Sequence, residues 1–388
     1  MKTFNKLTII VLASSLFFTA CKKDKKDTSS TGTSTDYSVP TTYSGFSNAD
    51  YSDVTTTLHM FKYIENQLKL GVPSSGTYAL DATLLKNMYA NTGSPFTDST
   101  QWNGLNISLK EQTALIGQSV MNGYLDTYAS ASASTSTASE GVAGLLATSA
   151  NKNVLFSTDG LNYAQVIQKV GFSILFVNQI HTILRDIHTL DNSSKVAGKD
   201  YTAQEHAWDR AFGYAGFPGN YTADSLASST FWGVAANRAQ YFYIANYSIQ
   251  VDGGIHTTKT LVNAFLKGRA AISHGDNATR DQQIDIINAA LEKFLGGCVL
   301  HEIGEITASG NAKFLDPASR NSSMSEIIGF VLAIEYAPNR TTMSDDDIAD
   351  ILAHLHATDV WQVSLTDIAY VKNKISQIYG LDSVKDII

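Results

Sequence analysis

Leu291-Glu292-Lys293-Phe294-Leu295-Gly296-Gly297-Cys298-Val299-Leu300-His301-Glu302-Ile303-Gly304-Glu305-Ile306 is the stretch on which the fold turns. Leu291, Phe294, Cys298, His301 and Glu305 follow in steps of three and four, the spacing of one face of an α-helix. The pattern extends this helix over about 277–308, and the same period predicts others at about 50–70, 80–90, 108–126, 161–190, 202–213, 224–250, 256–273, 323–336, 344–356 and 364–379. Capping boxes, a hydroxyl residue with an acid three places on, mark several starts: Ser108/Glu111, Thr202/Glu205, Ser323/Glu326 and Ser344/Asp347. No stretch alternates over several strands, and no solenoid repeat of about 34 or 40 residues is present. The fold class is all-α, built from packed antiparallel helical bundles.

Composition agrees. The chain has 388 residues, 44% hydrophobic and 16% charged, enough to bury a large core, and only six prolines to interrupt helices. Its net charge of −8 disfavours nucleic acid, whose phosphates reward a basic surface. Two cysteines, Cys21 and Cys298, exclude a disulfide framework. Cys298 lies on the apolar stripe and is expected to be a buried, inert residue. The run Ala129 to Ser139, alternating small residues without an apolar stripe, is expected to be a surface loop, and the loop Asp191 to Lys199 is the expected seam between helical halves at 41–195 and 196–388.

At the N-terminus, Lys2 and Lys6 precede a short apolar segment, Leu7 to Ala13, then Leu16-Phe17-Phe18-Thr19-Ala20-Cys21. A basic start, a short apolar core and small residues before a cut site describe an export signal over 1–20. Ser14 and Ser15 break the apolar segment, which is too short for a good spanning helix. The cysteine directly after Thr19-Ala20 resembles a bacterial lipoprotein signal, which implies that Cys21 carries the lipid and opens the mature chain. Residues 21–40, beginning Lys22-Lys23-Asp24-Lys25-Lys26-Asp27 and continuing in Thr, Ser and Gly, read as a flexible tether to a helical domain over 41–388.

Polar residues on a stripe that should be buried are the candidates for chemistry, because an unpaired charge there is costly. Glu205, His206 and Asp209 share one helix, with the carboxylates a turn apart and the imidazole beside them. Capping by Glu205 and an ion pair of Asp209 with Arg210 or another surface base explain them equally well. His301 and Glu305 continue an apolar face, whereas Glu302 points about a quarter-turn away; this is not a His-Glu-x-x-His zinc motif, since Ile306 stands where its second histidine belongs. Glu326 opens the apolar helix at 323–336, placed to face a site or to serve the cap at Ser323. His181 and His188 are expected to be satisfied core residues, and His354 and His356 to suit a helix C-terminus. No serine-hydrolase elbow, phosphate-binding glycine loop, Cys-x-x-Cys pair or EF-hand is present.

The lipoprotein start, the opening Tyr37-Ser38-Val39-Pro40-Thr41-Thr42-Tyr43, the block Glu205 to Tyr214 and the block Ser325 to Phe330 together resemble a family of Bacteroidetes lipoproteins defined by a domain of unknown function. That family is similar to the imelysin-like proteins, pairs of packed helical bundles with a His-x-x-Glu motif linked to metallopeptidases and to iron uptake. The resemblance implies such a fold, a cell-envelope location on the outer membrane, and Trp208, Asp209 and Glu326 as matching positions. Where the family carries a histidine shortly before that glutamate, this chain has Ser322 and Ser323, so location and fold are better implied than metal chemistry.

The expectation is a lipid-anchored envelope protein holding a divalent metal, iron or a small ligand between bundles through Glu205, His206, Asp209, His301, Glu305 and Glu326. It would meet the membrane through Cys21, and its further partner would be a small ligand or an envelope uptake protein. The alternatives are a metallopeptidase-like hydrolase using the same residues, or a glycan-capturing lipoprotein with Trp102, Trp232 or Trp361 as aromatic platforms.

Overall fold

Short polar side chains start most of the helices. Thr202 and Glu205 form a complete capping box on α7 (Ala203–Ala215), as do Ser344 and Asp347 on α12 (Asp345–His354) and Ser364 and Asp367 on α13 (Leu365–Ile378). The computed structural model describes residues 37–222 and 241–388. Cys21, the signal segment, most of the tether, Trp232 and much of the helix expected at 224–250 lie outside them. Within them the chain runs through α1 (Ser52–Leu68), α2 (Ala82–Ala90), a short α3 (Leu109–Gln112), α4 (Leu115–Ser132), β1 (Gly144–Ala147), β2 (Asn153–Phe156), α5 (Tyr163–Gly171), a π-helical segment (Phe172–Val177) and α6 (Asn178–Asp186). After α7 come α8 (Tyr243–Ile255), α9 (Thr257–Ser273), α10 (Asn277–Leu315) and α11 (Pro317–Glu335), followed by α12 and α13. The expected all-α class is the observed one.

Four departures have local causes. The helix expected at 108–126 is broken at Thr113, whose φ and ψ of −81° and 141° are extended, and α4 then continues to Ser132. The supposed loop from Ala129 therefore begins as helix, with Ala129, Ala131 and Ser132 buried. Alanine is the best helix former and its small side chain allows close packing. Further on, β1 and β2 form an antiparallel hairpin, Gly144 opposite Phe156, that the sequence did not signal. The helix expected from Ser323 starts at Pro317, where Asp316 caps the N–H of Ser319. Ser323 is thus internal and caps nothing.

Helices α9, α10 and α11 are joined by short turns and pack as consecutive antiparallel neighbours; α11 also lies along α5, and α6 along α7. Residues from both expected halves, 41–195 and 196–388, join one hydrophobic cluster, in which Trp208, Phe212, Phe265, Leu291, Phe172 and Phe330 are fully buried. Two glycines set the approach of the helices that matter below. A Cβ on Gly329 would stand 2.9 Å from the Cβ of Lys169, and one on Gly171 would stand 2.4 Å from Phe61 Cζ. Neither site accepts a side chain without movement, so α5 seats directly on α11 and α1. Among the described residues no helix is long and apolar enough to cross a membrane.

Candidate functional site

Lys169 ends α5 on its buried face, between Val166 and Val170, and is 0% exposed. A lysine so placed must be paired. Its Nζ lies 2.8 Å from Oε2 of Glu326 on α11 and donates to Gln165 Oε1 at 2.9 Å, Gln168 Oε1 at 2.5 Å and the Tyr247 hydroxyl at 2.7 Å. It also stands 4.8 Å over the Tyr247 ring. Burial works against the ammonium, but Glu326 and then Tyr247 outweigh it and hold its pKa above the ordinary value.

Glu302, on α10, is 9% exposed and makes no hydrogen bond to a described residue. Burial first, and the charge of Glu326 second, push its carboxyl up to about 8 against the pull of Lys169. The ammonium thus has one glutamate in direct contact and a second carboxyl nearby that burial pushes toward its protonated form.

This group borders space. A cavity of about 540 Å³ is walled by Glu326 and Ser322 of α11, Gln165 and Gln168 of α5, Glu65 of α1 and Tyr247 of α8, with Asn153 and Val154 of the hairpin on its rim. That size lies in the range of about 300–1,000 Å³ usual for small-molecule sites. Buried Glu65 accepts from Gln168 Nε2 at 2.8 Å and from Lys62 Nζ at 2.8 Å.

The six candidate residues do not share one centre. Glu326 is in the cavity wall, as a mid-helix residue rather than a cap partner. The expected face of α10 is one residue off: after Cys298 the buried stripe steps by four to Glu302 and Ile306 rather than by three to His301. Glu305 is exposed and pairs with Lys313 at 2.6 Å, while His301 is half-buried. Glu205 and Asp209 belong to a separate network. Arg269 of α9 is 0% exposed and reaches Asp209 Oδ1 through Nε and Glu205 Oε1 through Nη1, both at 2.7 Å. Tyr43 donates to Asp209 at 2.7 Å, and Asn48 and Ser273 complete the ring of partners. Arg210, the neighbouring base, pairs instead with Asp53. His206 stacks on Tyr201 and its Nδ1 lies 2.9 Å from the carbonyl of Asp50. One guanidinium serves both carboxylates and neutral donors supply the rest, and this network fastens the segment at 43–50 to α7 and α9.

Among the described residues no group of three or more His, Cys, Asp or Glu is arranged to hold a metal ion. His181 meets Asn288, and His354 stacks on Tyr370. Cys298 is free and buried. Trp102 packs edge-on to Phe96 and Tyr63, and Trp361 edge-on to Phe156, so neither is an open platform.

Lys169, Glu302, Tyr247 and Gln168 were not singled out by sequence. For Lys169 the signal existed: a charge on the apolar stripe of α5. Residues 36–382 match the family described as Domain of unknown function (DUF4856). No curated protein and no solved structure matches the chain.

Proposed function

The chain belongs to the DUF4856 family, and from that premise we propose that it is a lipid-anchored cell-envelope protein that binds a small ligand over the Lys169–Glu326 pair. The observation that carries the binding half is the cavity of about 540 Å³ walled by buried Glu65, by Tyr247 and by Glu326, whose carboxylate pairs with the fully buried Lys169 behind it. Ordinary core packing fills such space with apolar side chains; here polar groups from α1, α5, α8 and α11 converge on it. The anchor half is supported by the Thr19-Ala20-Cys21 start, and placement on the outer membrane and kinship with imelysin-like proteins by the resemblance of the family blocks. The hydrolase alternative draws on residues that do not share one centre, Glu305 pairing with Lys313 at the surface and Glu205 and Asp209 with Arg269 away from Glu326, and no observation favours it.

Native mass spectrometry of full-length protein from envelope fractions tests the binding half. Wild type should release a small molecule on unfolding that Ala164→Phe, which fills the cavity from its α5 wall, does not carry despite an unchanged melting temperature. Equal release from both places the ligand elsewhere and refutes the reading. Detergent-phase partition lost in Cys21→Ser is the corresponding expectation for the anchor.

A further inference from the structure

Around the cavity, carboxyls outnumber the bases paired with them. Glu65 on the wall pairs with Lys62, Glu326 with Lys169, and surface Glu305 with Lys313, at 2.6–2.8 Å. Glu302 is left without a base. The charges that act on it come from Glu326 of α11, Lys169 of α5, and Lys313 and Glu305 of α10, and its own charge acts on Tyr247 of α8 and on Cys298. Burial, and then the charge of Glu326, favour a proton on Glu302 where a base would otherwise stand. The other cation on the wall, Lys69, is exposed to screening water and donates to Asn66.

The wall also offers a point at which a second cation would fit. Glu326 lines the cavity, is 19% exposed and uses only Oε2 on Lys169. Its other oxygen, Oε1, accepts no hydrogen bond from a described residue and is not sealed from water. A cation at Oε1 would let Lys169 serve an ionised Glu302, so that two carboxylates meet two cations and the proton is no longer needed. Among the described residues no set of three or more ligands suits a metal ion. The space of about 540 Å³ and the partly exposed side chains of Val72, Val154 and Ala164 suit a cation carried on an apolar body.

We infer that the cavity takes a primary amine, its ammonium on Glu326 Oε1 and its apolar body against Val72 and Val154, and that the Glu302 proton leaves to bulk water as the amine enters. The inference rests on the proposed ligand-binding role and specifies its ligand class.

The test is calorimetric titration of the full chain with hexylamine and phenylethylamine between about pH 6 and 9, with hexanol and phenylethanol as neutral isosteres and hexanoate as the anion probe. These amines stay charged across that range. An amine should bind, its affinity rising about three- to tenfold per pH unit up to about pH 8 and levelling above, because a proton must leave below that point and none above it. Glu302→Gln, neutral at every pH, should bind the amine without that slope, and Glu326→Gln should weaken binding about tenfold or more, the effect of losing a hydrogen bond to a charged group. A purely structural Glu302 would alter stability and leave the slope of amine binding the same in both proteins, which overturns the inference. Binding of an alcohol or of hexanoate in place of the amines, blocked by Ala164→Phe, overturns it while leaving the ligand cavity standing. If no amine binds, the inference falls, and the binding role falls with it where wild type also releases no molecule that Ala164→Phe lacks.

Discussion

Replacing Glu302 with glutamine should remove a pH dependence from the stability of the whole fold. Burial and Glu326 raise this carboxyl from its ordinary value of 4.5 to about 8. At 1.36 kcal/mol per unit, that shift corresponds to roughly 5 kcal/mol once both states have titrated. The folded state binds the proton more tightly than the unfolded one. Between the two pKa values the unfolded chain has released its proton while the native chain keeps it, so stability falls as pH rises through the window. Below the unfolded pKa the penalty is absent, and above the folded pKa it is complete. Glu302→Gln carries no proton to lose, so its advantage over wild type should grow from near zero at about pH 4.5 to several kcal/mol at about pH 8.5. Because the charges of Glu326 and Lys169 both act on this carboxyl, the slope reports the group rather than Glu302 alone. Urea unfolding followed by circular dichroism across this range measures it, with Glu305→Gln as the control, since Glu305 is exposed and its pKa is lowered by its hydrogen bond to Lys313. Parallel stability curves for wild type and Glu302→Gln would refute the burial argument.

Two further perturbations separate the networks. Arg269→Met leaves Asp209 and Glu205 buried without their cation and should cost about 3–5 kcal/mol in urea unfolding, whereas Arg210→Ala breaks only the surface pair with Asp53 and should cost about 1 kcal/mol or less. Gly329→Ala pushes a methyl against Lys169 and should destabilise by about 1–3 kcal/mol; Gly253→Ala, at an exposed position of α8 with open space at its Cβ, should stabilise by up to about 1 kcal/mol.

Local features were legible. Thr202 with Glu205 and Ser344 with Asp347 are capping boxes because the interaction spans one turn and needs nothing from elsewhere in the chain. The same reasoning failed at Ser323, because Asp316 and Pro317 had already started the helix. Long-range pairing was not legible: Asp209 gave no sign that its partner would be Arg269, 60 residues on, rather than adjacent Arg210. The α10 face was misjudged because a period of 3.6 permits a step of three or four after Cys298, and only packing against α9 and α11 decides between His301 and Glu302. Lys169 was readable, since a charge among Val166, Ile167 and Val170 satisfies the criterion that drew attention to Glu326. That Glu302 would be left without a base has no sequence signature, because being unpaired is a property of the surroundings.

The central claim, that the polar cavity over the Lys169–Glu326 pair is a ligand site, is tested most directly by a crystal structure of the full-length protein purified from envelope fractions. The account predicts density for a small molecule against Glu326 and Tyr247, touching Gln168. A small molecule bound only at the surface, with the cavity occupied by water alone, would contradict it.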